Sequence, residues 1–268
     1  MEKLQAAIER ARVKRDASLP TRRTTAARSQ PTQNAWEALT PFEWNPKALS
    51  RKRIFVDGNL REASGYDLLR TKILQQCQEN GWKRVVITSP TKACGKTTTC
   101  ANLAASFTRQ NDRKLILFDL DMRRPELARI LDHRAEYSFS SVLEDRVGFA
   151  EQAIRVSPNV AISANQAPAP NPSKLILQDR TSEIFDEIEA VYKPDIMMFD
   201  SPPMLVTDDT LAFLKYVDCA IIIAAADAST TDQVDVCEKE VAEQTNVLGV
   251  VLNKCSFSAD GYGYDYNY

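Results

Sequence analysis

From about residue 60 onward, short apolar runs alternate with stretches whose apolar residues recur at helical spacing. The runs predict strands at Arg84–Thr88, Lys114–Asp119, Val160–Ser163, Ile196–Asp200, Cys219–Ala225 and Val247–Asn253. A helix is expected over 62–79, with Leu68, Leu69, Ile73 and Leu74 on its apolar face. Unbroken runs such as Leu115-Ile116-Leu117-Phe118 fit strands covered by helices on both faces. Strand and helix in alternation give an α/β fold, a doubly wound and mostly parallel sheet. Such sheets bind ligands beyond the carboxyl ends of their strands, so the polar residues that close each run carry the chemical interest.

Upstream, periodicity is weak. Residues 1–15 can form a short helix with Leu4, Ile8 and Ala11 on one side. Residues 16–50 read as linker, interrupted by Trp36, Leu39, Phe42 and Trp44, which are expected to dock on the domain. Charge reinforces this division. Residues 1–53 hold twelve Lys and Arg against five Asp and Glu, so a net charge of -2 leaves residues 54–268 at minus nine. A folded part this acidic argues against general nucleic-acid binding, while the basic arm suits an anionic surface or an acidic partner. The expected organisation is a basic flexible arm (1–53), a nucleotide-binding domain (54–255) and a tyrosine-rich tail (256–268).

Six cysteines show no CxxC pair and no metal-ligand rhythm with the single His133, so they are read as reduced thiols, mostly in the core. No apolar run reaches the roughly 18 residues of a membrane span, and the charged start of the chain does not resemble a secretory signal. Membrane contact is therefore expected to be peripheral.

After Val85-Val86-Ile87 the chain reads Thr88-Ser89-Pro90-Thr91-Lys92-Ala93-Cys94-Gly95-Lys96-Thr97-Thr98, and a helix follows. Strand, loop, Gly-Lys-Thr and helix form the order of a P-loop. Backbone N–H groups from Ala93 to Thr98 would face phosphates, Lys96 would neutralise β/γ charge, and the Thr97 hydroxyl would ligate Mg²⁺. Pro90 stands where the first glycine of the usual pattern would be. Two later strands also finish in acids: Asp119 and Asp121, followed by Met122-Arg123-Arg124-Pro125, and Asp200, followed by Ser201-Pro202-Pro203. Each acid alone would serve as a cap, but three beside a P-loop point to Mg²⁺ and a nucleotide. Arg123 and Arg124 would offset that carboxylate charge or reach a neighbouring subunit's phosphate. Asn253, which closes the last strand, is placed to contact an adenine edge. Finally, Tyr262, Tyr264, Tyr266 and Tyr268 fall at every second position.

Together these segments resemble the bacterial tyrosine kinases, P-loop autokinases of capsule and exopolysaccharide export. The likeness covers roughly residues 60–268. It rests on Ala93–Thr97, ILFDLDMRRP at 116–125, APNPSKLIL at 169–177, DIMMFDSPPMLVTDD at 195–209, LGVVLN at 248–253 and the tyrosine cluster. It implies ATP- and Mg²⁺-dependent autophosphorylation of the four tail tyrosines, in trans within a ring of subunits. Lys96 would then hold the phosphates, Thr97, Asp121 and Asp200 the metal, and Asp119 would take the tyrosine proton. It also implies a cytoplasmic protein held at the inner membrane by a membrane-embedded chain-length regulator, and a tyrosine phosphatase that resets it. The ring motif of the family, Glu-x2-Arg-x2-Arg, would fall at Ser64, Asp67 and Arg70, where only Arg70 matches. Two other readings stay open: an ATP-binding scaffold of the same machinery, and a partitioning-type ATPase switch, although the second lysine typical of the latter would stand at Thr91.

Overall fold

The computed structural model describes residues 30–255; the expected helix at 1–15 and the tyrosine cluster lie outside them. Eight strands form one sheet: β1 (Thr40–Pro41), β2 (Arg84–Thr88), β3 (Leu115–Asp119), β4 (Ile154–Ser157), β5 (Val160–Ser163), β6 (Ile196–Asp200), β7 (Cys219–Ala225) and β8 (Asn246–Asn253). Their order is β1-β4-β5-β3-β6-β2-β7-β8. Only the β4–β5 pair is antiparallel, so the expected mostly parallel sheet is what forms. The longer helices are α1 (Gln30–Glu37), α2 (Arg61–Asn80), α3 (Lys96–Thr108), α4 (Asp179–Tyr192) and α5 (Thr231–Ala242).

The sheet splits the core in two because successive residues of a strand point to opposite faces. On one face Phe118, Phe199 and Ile222 pack with Phe185 of α4 and with Cys237 and Val241 of α5. On the other, Val85, Leu117, Met198 and Ile221 pack with α3 and with Ile73 and Cys77 of α2. This sandwiching explains why β3 and β6 read as unbroken apolar runs: all five residues of each are buried.

Two expectations need correction. Leu68 is 58% exposed. It stands five residues from buried Ile73, about 140° around the helix, so the two cannot share a face; Ala63, Ile73 and Cys77 are the residues of α2 that go inside. The linker reading of 16–50 also fails from Gln30 onward. Trp36 and Leu39 are buried, and Trp36 Nε1 donates to Tyr192 O at 2.8 Å. Lys114 Nζ sits 4.6 Å over the Trp36 ring. Thr40 and Pro41 pair with Ile154 and Arg155, lengthening the sheet by a strand. Asn45 then caps the helical turn Pro46–Arg51 through the Ala48 amide. Asn102 of α3 grips the chain just beyond, accepting from Phe55 N and donating to Arg53 O. The large side chains anchor a segment whose polar composition hid its order.

Candidate active site

The P-loop runs from the end of β2 into α3. Its backbone needs two left-handed residues, Ala93 at φ 60° and Gly95 at φ 94°. Gly95 is required twice over. Its φ suits glycine, and a Cβ there would collide with Asn253 Nδ2. That amide donates to Cys94 O at 2.9 Å, so Asn253 fastens the last parallel strand to the phosphate loop. In this structure the amide expected to read an adenine edge is engaged as a loop clamp.

Cys94 is buried and turned away from the cleft. Its thiol donates to Thr91 O at 3.3 Å and meets Ser229 Oγ at 3.6 Å. Burial pushes this thiol up, but hydrogen bonds to Ser229 and Thr91 outweigh that and leave it below its ordinary pKa. Those bonds, not the charge of Lys96, are the source of the lowering. The other cysteines are buried core residues, except the exposed Cys255.

Beneath the loop, β3 and β6 run side by side and Asp119 is the register partner of Asp200. Both are fully buried. Asp119 Oδ1 accepts from Asp121 N at 3.1 Å, and Asn165 Nδ2 donates to Asp119 O at 2.7 Å. Neither oxygen of Asp200 accepts a well-aligned hydrogen bond among the described residues, although Thr97 and Cys100 lie near enough to pull its pKa down. Burial raises the Asp200 pKa to about 7, with the Lys96 charge as the main opposing influence. Burial likewise pushes Asp119 well above the carboxylate range, and the charges of Asp200 and Asp121 push it further. Asp121, also raised by burial, accepts from Arg124 N at 3.1 Å and faces the cleft. The turn after Asp200 is tied to the loop: Thr88 Oγ1 and Thr210 Oγ1 both donate to Pro202 O at 2.8 Å.

A cleft of about 490 Å³ opens above these groups. Lys96, Thr97, Asp121, Arg124, Val206 and Lys254 contribute to its walls. Lys96, Thr97, Thr98, Gly95, Ala93 and Asp121 are thus gathered in one place, with Asp200 and Asp119 directly below. Arg123 serves differently. Its Nε donates to buried Asp209 at 2.5 Å and its Nη2 to Ser173 at 2.9 Å, which locks the loop after β3 to the segments after β5 and β6. Both arginines of the pair line the cleft, Arg123 with its guanidinium held by Asp209. Sequence reasoning assigned nothing to Asn165, Asp209 or Ser173. Ser173 and Asp209 lie in segments singled out by resemblance, but their pairing with Arg123 spans loops far apart in the chain. The tyrosines 262–268 are outside the described residues.

The fold and this constellation have counterparts. Residues 85–260 match the CobQ/CobB/MinD/ParA nucleotide binding domain family (CbiA). The chain belongs to that family. Within it, the tyrosine-protein kinase YwqD of Bacillus subtilis (strain 168) is 28% identical over 203 residues, 74% of this chain and 84% of that protein. The tyrosine-protein kinase wzc of Salmonella typhi is also 28% identical, over 208 residues, but this is only 28% of its length. Among solved structures, the chimerical protein CapA2B2 superposes with a TM-score of 0.69 at 21% identity, over 81% of this chain and 92% of that one. The chain is therefore homologous to bacterial tyrosine-kinase domains, and the resemblance read from its motifs holds.

Proposed function

We propose that this chain is an ATP-dependent protein-tyrosine autokinase that phosphorylates Tyr262, Tyr264, Tyr266 and Tyr268, and so regulates exopolysaccharide or capsule polymerisation and export. The observation that carries the proposal is the pair of buried strand-end carboxylates under the P-loop. Asp200 keeps both oxygens without a well-aligned hydrogen bond among the described residues, at a place reached by the Lys96 charge. A buried polar atom without a partner is costly, so its retention argues for a ligand that completes it.

Mg²⁺ fits that place. No group of three or more His, Cys, Asp or Glu side chains among the described residues forms a metal cage. Mg²⁺ takes few carboxylates and completes its shell with phosphate oxygens and water. Thr97, Asp121 and Asp200 would hold it, and it would supply neutralisation of the β- and γ-phosphate charge. The P-loop amides from Ala93 to Thr98 and the start of α3 orient the phosphates, and Lys96 screens them. Asp119, made more basic by burial, is the acceptor for the phenol proton. Phosphoryl transfer demands little beyond such positioning and charge compensation.

The reading extends to a membrane-embedded chain-length regulator that activates the kinase, a tyrosine phosphatase that resets it, and a peripheral place at the cytoplasmic face of the inner membrane. Among the described residues no helix is long and apolar enough to cross a membrane. Purified protein incubated with ATP and Mg²⁺ tests the activity, with phosphate mapped by mass spectrometry and Lys96→Met as control. Phosphates on the four tyrosines that vanish in the control are expected. ATP binding without phosphate transfer would instead favour the scaffold reading.

A further inference from the structure

The pairing of β3 with β5 departs from the regular ladder at one place, beside Asp119. In a parallel pair the hydrogen bonds are evenly spaced along the strands. Leu115 is the register partner of Val160 and donates to Asn159 O at 2.9 Å. Leu117 is the partner of Ile162, two residues on. Carried one step further, the same pattern would have Asn165 N donate to Asp119 O. The chain makes a different pair of bonds. Asn165 Nδ2 donates to Asp119 O at 2.7 Å, and Asn165 N donates to Asp119 Oδ2 at 3.5 Å. The side-chain amide has taken over the ladder bond, which releases the main-chain N–H to face the carboxylate.

The exchange is held in place from behind. Asn165 Oδ1 accepts from Ser140 N at 2.9 Å, at the start of the helical turn Phe139–Leu143. The preceding carbonyl, Ala164 O, accepts from Gln152 Nε2 at 2.8 Å and from Phe139 N at 3.1 Å. Asn165 is 1% exposed. With its oxygen committed to an N–H donor, its amino group must face the Asp119 carbonyl. At the other end of that peptide unit Leu120 N donates to Asp200 O at 2.8 Å. The unit after Asp119 is thus fixed at both ends. Each carboxylate oxygen of Asp119 meets a main-chain N–H, Asp121 N on Oδ1 and Asn165 N on Oδ2.

We infer that Asn165 is a positioning residue for phosphoryl transfer: it holds the Asp119 carboxylate in the orientation from which an oxygen takes the phenol proton. The inference rests on the autokinase reading, in which Asp119 is that acceptor. Orientation matters at this step because a misplacement of about 1 Å can cost about a hundredfold in rate. Asparagine suits the position for a specific reason. Alanine or serine cannot bridge Ser140 N and Asp119 O, and aspartate would set an acceptor against the Asp119 carbonyl.

A double-mutant cycle on the full chain with ATP and Mg²⁺ tests this. It reads the initial rate of tyrosine phosphorylation at saturating ATP, with ATP affinity measured by calorimetry and the fold by circular dichroism. Asn165→Ala is expected to lower the saturated rate at least tenfold while ATP affinity stays within twofold, because none of the Asn165 bonds reaches the P-loop. Added to Asp119→Ala, the same change should cost less than a further twofold, since nothing is left to position. A residue that only holds the fold would cost the same factor in both backgrounds. Such equal losses, or an unchanged saturated rate in Asn165→Ala, would overturn the inference and leave the kinase reading standing. A fall confined to ATP affinity would overturn it too. Should Asn165→Ala not fold, Asn165→Ser, which keeps a hydroxyl near Ser140 N, takes its place with the same expected split. No phosphotyrosine in the unaltered chain would sink the kinase reading, and this inference with it.

Discussion

Asp200 sets the electrostatics of the cleft. Its folded pKa of about 7 lies above the ordinary carboxylate value, so the folded apoprotein holds that proton more tightly than the unfolded chain. The stability this contributes is complete below about pH 4 and is lost as pH rises through 7, up to about 4 kcal/mol. Asp119, raised in the same direction, adds to the slope. Apoprotein melting temperature is therefore expected to fall between pH 4 and 7.5, and Asp200→Asn to flatten that fall and raise the melting point at pH 8 by several degrees. Nucleotide with Mg²⁺ acts oppositely, favouring the ionised pair, so its affinity should weaken as pH drops below 7; calorimetry across pH 5.5–8 reads both. Gly95→Ala is a harsher change. The left-handed backbone and the Asn253 amide leave no room for a methyl, so the loop must move. Loss of ATP binding by at least tenfold, with the far-ultraviolet circular dichroism unchanged, is expected. Asn253→Ala removes the clamp on Cys94 O and should weaken ATP binding by a smaller factor, because one hydrogen bond is worth about 1 kcal/mol.

At the level of elements, strands were the most legible part of the chain. β3, β6 and β7 are buried on both faces, so their runs of apolar residues carry the signal undiluted. The strand-end acids were legible for the same reason, since each breaks such a run at the edge where ligands bind. β1 and β4 were not. β1 is two residues long and includes a proline, and β4 is only half-buried with polar residues in alternate places. Their pairing is decided by distant anchors, above all Trp36. Replacing Trp36 with alanine removes a buried ring, its bond to Tyr192 O and the cation contact of Lys114, a loss of about 3–5 kcal/mol. Urea unfolding should show the midpoint shift. Because α1 and β1 sit at the far edge from the P-loop, ATP affinity well below that midpoint should stay within twofold. The ion pair of Arg123 with Asp209 was illegible for a related reason: it closes two loops that only the folded sheet brings together.

For the molecule as a whole, the question is whether subunits meet through α2. Arg70, the position that matches the ring motif, faces inward. Its Nη1 donates to Ser106 O at 2.6 Å and Ser106 Oγ at 2.9 Å, and it pairs with Asp67 at 3.2 Å. Asp67 also receives Arg109 Nη2 at 2.5 Å, and Arg109 Nη1 reaches back to Val56 O at 3.1 Å. Burial pulls the Asp67 carboxyl upward, but Ser106 and Arg109 prevail and hold it below its ordinary value. One network thus staples α2 to α3 and to the chain that precedes α2, and the arginine is consumed in it. Arg70→Ala should accordingly behave as an intramolecular lesion. Charge-assisted hydrogen bonds of this kind are worth about 1.5–3 kcal/mol each when lost, discounted here because Asp67 is partly exposed. A drop of a few degrees in melting temperature is expected, with the sedimentation coefficient unchanged at any concentration tested. An arginine that instead belonged to a ring contact would do the opposite, dissociating the assembly while leaving the melting point of the subunit in place. On the autokinase proposal, with Arg70 spent internally, transfer between chains would depend on encounter, so the initial rate of tail phosphorylation per molecule should rise with protein concentration from 1 to 50 µM, and a flat rate would place the reaction within one chain or a preformed assembly.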